Sequence, residues 1–140
     1  MIATTPTGIA EAIEHAVAAL DFEQVRKQYW EQNEFVCLPH FLSRSVMDDY
    51  LLPSTQQMKA VLNRNYIPGH KKGGSVSYYT VRERSPVFLE LYRSPAFMDF
   101  LSRLVGTRLM GCPENDPLAC ALYYYTEPGD HIGFHYDTSY

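Results

Sequence analysis

Two residues near the C-terminal end of the chain, His135 and Asp137, have the types and spacing to hold one metal ion. In an extended strand alternate side chains share a face, and residues two apart lie about 7 Å apart at their Cα atoms. An imidazole and a carboxylate so placed can therefore point at the same ion. They supply two of the three ligands of a two-histidine, one-carboxylate set, which leaves positions open for a chelating cosubstrate and oxygen. The dipeptide spacing alone is weak, because chance matches are common in a chain with several His and Asp residues. Its context is more specific. The run from Tyr123 to Asp137, with Glu127-Pro128-Gly129-Asp130 as a turn, reads as a β-hairpin that ends in the ligand pair.

The other histidines do not complete the set by spacing. His131 is on the same strand face as His135 but about 13 Å away in an extended strand, too far to share a metal without a bend. His40 and His70 fall in expected loops, and His15 falls on the polar face of the first helix. Lys71 and Lys72, set between glycines, read as part of a solvated loop over residues 68–74, without the pattern of a phosphate-binding loop.

The elements that must position the pair are helices first and strands last. Apolar residues Ile9, Ala12, Ile13, Ala16, Val17 and Leu20 share one helical face behind a Thr7 cap, and Asp21 with Gln24 resembles a capping box for a second helix. Phe35 to Leu38 reads as a short strand. Ser43 caps a third helix that Pro53 must end or kink, and a further helical piece is expected from about Ser54 to Arg64. Ser75 to Val81 reads as a strand. Ser85-Pro86 and Ser94-Pro95 are two helix starts with proline at the first helical position, and Gly106 closes the second of these helices. The expectation is a single α+β domain over 1–140, helical over 1–105, with a core β-hairpin over 118–138 and no α/β alternation.

Composition narrows the classes. At 140 residues the chain can bury one hydrophobic core, and 46% hydrophobic against 20% charged residues places it with ordered proteins. No segment approaches the length of a membrane span, and residues 1–9 lack the charged and apolar regions of a secretory signal, so a cytoplasmic location is expected. A net charge of −4 leaves no evident basic footprint for nucleic acid. Cys37, Cys112 and Cys120 are odd in number without a C-x-x-C pair, and read as reduced, mostly buried thiols.

With the turn and ligand pair in place, the sequence resembles the 2-oxoglutarate- and Fe(II)-dependent dioxygenases, in particular the prolyl-hydroxylase-like branch. The segment Glu34 to Ser43 is similar to that family's early strand and helix start. The resemblance implies N-terminal helices packed on a double-stranded β-helix, or jelly roll, here truncated. It also implies Fe(II) held by His135 and Asp137, and 2-oxoglutarate as cofactor. The family's cosubstrate-contacting tyrosine falls at Thr126, with Tyr124 the nearest substitute, so these two are the expected cofactor-binding residues. A second metal histidine and a basic residue for 2-oxoglutarate would come from beyond Tyr140, which makes the chain the N-terminal part of a larger enzyme, or half of a homodimer. Substrate class stays open between a small molecule and a peptide. Two alternatives stand beside this expectation: a noncatalytic module that pairs through an open sheet edge, and a cupin-like metal protein that uses His131 with His135.

Overall fold

The computed structural model describes residues 8–135, and it is α+β. Helices α1 (Ile9–Ala18) and α2 (Phe22–Glu31) form where the apolar periodicity places them. Ile9, Ala12 and Ile13 of α1 are buried, and the Asp21 side chain accepts from the Gln24 amide at 3.1 Å, capping α2. The expected Thr7 cap lies outside the described residues. Phe35 to Leu38 does not form a strand; the chain before it turns through left-handed backbone at Asn33 and Glu34 and then runs irregularly.

Ser43 caps the next helical run by accepting from Val46 N. That run passes from α3 (Arg44–Val46) through a π-helical turn, Met47–Leu51, into α4 (Leu52–Lys59). The wider turn lies just ahead of Pro53, which has no amide hydrogen to donate to the preceding turn. The helical run continues through Pro53 as α4, and the Thr55 hydroxyl donates to Leu51 O at 2.8 Å.

The sheet begins earlier than the pattern suggests. Asn63–Ile67 is β1 and Lys71–Val76 is β2, an antiparallel hairpin closed at Pro68-Gly69, where His70 N donates to Ile67 O and Gly69 has φ +72°. The region 1–105 is therefore not all helix, Lys71 and Lys72 are strand residues, and the segment after Val76 is helix α5 (Tyr78–Arg84). Helices α6 (Val87–Arg93) and α7 (Pro95–Val105) follow. Ser94 caps α7 at Phe97 N, and Gly106 ends it in left-handed backbone.

The last two strands, β3 (Leu122–Tyr124) and β4 (His131–Ile132), do not pair with each other as a hairpin would. Both lie on the second edge of β2: Tyr124 opposite Gly74, then His131 opposite Lys72. They are two pieces of one edge strand, interrupted at Gly73 by an excursion through residues 125–130. The Glu127-to-Asp130 turn is real, with Asp130 N donating to Glu127 O and Gly129 at φ +83°, but it folds this excursion and not a hairpin. The order β1-β2-β3/β4 makes one small antiparallel sheet. A double-stranded β-helix is not formed by the described residues.

The sheet is seated through Val76 and Tyr124, which pack with Met58 of α4 and Val81 of α5. Two further clusters join α1 to the helical run after Ser43, and α2 to α7 through Val25, Phe100 and Leu104. Cys37 and Cys112 are exposed and only Cys120 is partly buried, against the expected buried thiols. No helix among the described residues is long and apolar enough to cross a membrane.

Phe100 is 2% exposed at the α2–α7 junction, so Phe100→Ala is expected to lower stability by about 3–5 kcal/mol in urea unfolding. Phe134→Ala, at a fully exposed position, is expected to stay within about 0.5 kcal/mol of the parent.

Candidate metal centre

His135 stands at the end of the segment that β4 leads out of the sheet, and it is exposed. Its Nδ1 lies 2.9 Å from Gly133 O. A carbonyl can only accept, so Nδ1 donates in this contact. Metal-binding histidines are oriented by this kind of second contact, and the observation fits a ligand role for His135. Asp137 lies outside the described residues.

A second imidazole is close. The rings of His70 and His135 are 6.2 Å apart between centroids and nearly perpendicular. They are brought together because the β1–β2 turn continues the β2–β4 register: Gly133 N donates to His70 O at 2.6 Å, one step beyond the Lys71–Ile132 pair. A side chain at residue 133 would place its Cβ 3.1 Å from that carbonyl, a tight contact that glycine avoids. His70 was set aside in the sequence for want of ligand spacing. The signal that could have found it is Pro68-Gly69 between two polar-apolar runs, read as a hairpin turn. His131, whose Nδ1 bonds Gly129 O, faces along the sheet with Lys72. Among the described residues no three His, Cys, Asp or Glu side chains form a group that could hold a metal.

The expected cofactor residues, Tyr124 and Thr126, both hold bonds to other parts of the fold. Tyr124 is buried in the core under β3, its hydroxyl donating to Thr55 O at 2.7 Å, and burial pushes its pKa up. Thr126 belongs to the excursion: its Oγ1 accepts from Arg64 Nη1 at 3.3 Å. Neither contacts His135 through any of these bonds; each holds the sheet together.

Arg64, on β1, is the residue that sequence reasoning missed most completely. Its guanidinium takes Asp130 in a two-pronged grip at 2.7 and 2.8 Å and reaches Glu127 Oε2 at 3.1 Å. The Asp130 side chain is 1% exposed and also accepts from the amides of Thr126 and Glu127. The Arg64 hydrogen bond, followed by those two amides, holds the Asp130 carboxyl well below the usual carboxylate range, against the opposing effect of burial. Arg64 is raised in turn, first by its bond to Asp130. Lys72 adds a bond to Pro128 O at 3.1 Å, and Lys71 lies over the Tyr123 ring at 4.1 Å.

A surface cavity of about 390 Å³ is lined by Ile132, Gly133, Phe134 and His135. A larger one, about 720 Å³, is built from α7 and the segment after it and includes none of these residues.

The family model that matches this chain is that of Halogenase D, over residues 17–140. No curated protein matches, and no solved structure matches. The match overturns the resemblance to the 2-oxoglutarate- and Fe(II)-dependent dioxygenases, since the family covering the chain is described as a halogenase.

Because the folded-state pKa of Asp130 lies below its ordinary 3.8, the carboxylate contributes stability that is present above that value and lost as pH falls below it. Thermal unfolding of the parent and of Asp130→Asn between about pH 7 and about pH 2 is expected to show a Tm gap that is open above about pH 4 and narrows below it. A gap independent of pH would remove the ionised carboxylate from the account.

Proposed function

The chain belongs to the Halogenase D family, and on that premise we propose that it works in oxidative substitution at carbon, as a metal-dependent oxidoreductase whose ion is held through His135 and Asp137. The ion proposed is Fe(II), with 2-oxoglutarate as cosubstrate and a small molecule or peptide as substrate. The observation that carries the reading is His135 with its Nδ1 fixed on Gly133 O, beside the ring of His70. When bound, the iron and its cosubstrate would supply oxygen activation. The part of this chain is to orient the ligand imidazole and to hold the strand that presents it. Asp137 would supply the carboxylate of the ligand set, a hard oxygen donor suited to such an ion.

The test uses Co(II) as a spectroscopic probe under anaerobic conditions. His135→Ala and Asp137→Ala are each expected to weaken binding by more than the roughly 10–100-fold that loss of an outer contact costs. If His135→Ala binds Co(II) like the parent, the metal centre is elsewhere.

The outer edge of β1 favours a second reading. All its residues, Asn63 to Ile67, are exposed, and an unpaired strand edge can accept a strand from another polypeptide. On this reading light scattering of the purified chain gives a dimer, and Tyr66→Lys with Ile67→Lys returns it to a monomer.

A further inference from the structure

We propose that Arg64 is a positioning residue for the candidate metal centre: by gripping Asp130 it folds residues 125–130 back on the sheet and so fixes the register in which His131 to His135 runs beside His70. The centre's role as a metal site rests on the reading above. The register argument rests on geometry alone.

The second edge strand leaves β2 at Tyr124, opposite Gly74, and rejoins at His131, opposite Lys72. On β2 only Gly73 separates these points, while residues 125–130 bridge them on the other side. An excursion of that length does not by its own geometry dictate where the chain rejoins. The rejoined ladder, His131–Ile132, is too short to enforce its own register. A slip by one residue would exchange the faces of His131 and Ile132 and carry His135 about 3.3 Å along the edge, away from His70.

What selects the observed register is the carboxylate next to the rejoining point. Asp130 immediately precedes His131, and its side chain is all but buried, so it can remain there only with its charge met. Arg64 meets it from the far strand. In register, Gly74 lies between Arg64 and Tyr124. A Cβ at Gly74 would come within 2.7 Å of Leu62 Cδ1. The same guanidinium reaches Thr126 and Glu127 at the start of the excursion, so one side chain ties its beginning to its end. Lys72 holds the middle at Pro128 O. Beyond the ladder, the Gly133–His70 bond makes the second anchor, and His135 is two residues from it.

Hydrogen exchange of the metal-free chain reads the register directly. Arg64→Ala is expected to speed exchange at residues 126–135 by at least about tenfold and leave α7 at the parent rate. Arg64→Lys keeps the charge but not the two-pronged grip, and is expected to fall between. In Co(II) titration Arg64→Ala should weaken binding by about tenfold, the usual size of an outer-contact effect. Should Arg64→Ala unfold the chain, Arg64→Lys decides. Unchanged exchange at 131–135 in the folded variants overturns the proposal, and so does acceleration that includes α7 to the same degree, which marks global stability alone. His135→Ala separates the two claims. It is expected to abolish Co(II) binding with exchange at 126–132 unchanged. If it retains Co(II), the metal reading fails while the exchange result still judges Arg64.

Discussion

A carboxylate that is almost entirely withdrawn from water must keep its partners or leave, and Asp130 keeps the Arg64 guanidinium, the amides of Thr126 and Glu127 and, at 3.9 Å, the Lys72 ammonium. That constraint governs the half of the sheet on which the candidate centre stands. It brings a strand interrupted at Tyr124 back to β2 at His131, and the chain then reaches His70 through Gly133. The helices stabilise the sheet from below by apolar burial, which is strong but without direction. The ion pair and its amides are directional, and they decide which residues meet.

The two Pro-Gly turns show why part of this was legible and part was not. Both 68–69 and 128–129 have proline ahead of a glycine at positive φ, and both close with the expected backbone bond. Turn chemistry is local, so each turn can be read from its own four residues. Whether the flanking strands pair with each other is not local. The first pair does, giving β1 and β2. The second does not, because β2 already offers a free edge to both flanks. The hairpin expected around Glu127 to Asp130 was thus a correct turn inside an incorrect pairing.

The helix ends were readable for the same reason. Asp21, Ser43 and Ser94 cap by bonds to amides three residues on, and Gly106 ends α7 with a conformation that carries no penalty for glycine. The failures lie where a side chain answers to a distant partner. The Tyr124 hydroxyl goes to Thr55 O, and its ring packs with Met58, Val76 and Val81, none of them near in sequence. Arg64 was expected in a helix and sits in a strand of polar residues whose pairing has no helical or alternating signature. His70 had no ligand spacing in sequence because its proximity to His135 is made by register.

Register also explains how an exposed histidine can be held in place. The His135 ring bonds Gly133 O, two residues back, and Gly133 is itself bonded to His70 O. A side chain placed this way takes its position from the backbone ladder beneath it. It remains exposed to solvent while its position follows that of the sheet. Moving the strand therefore moves His135, so the residues that hold the strand bear on where its imidazole stands.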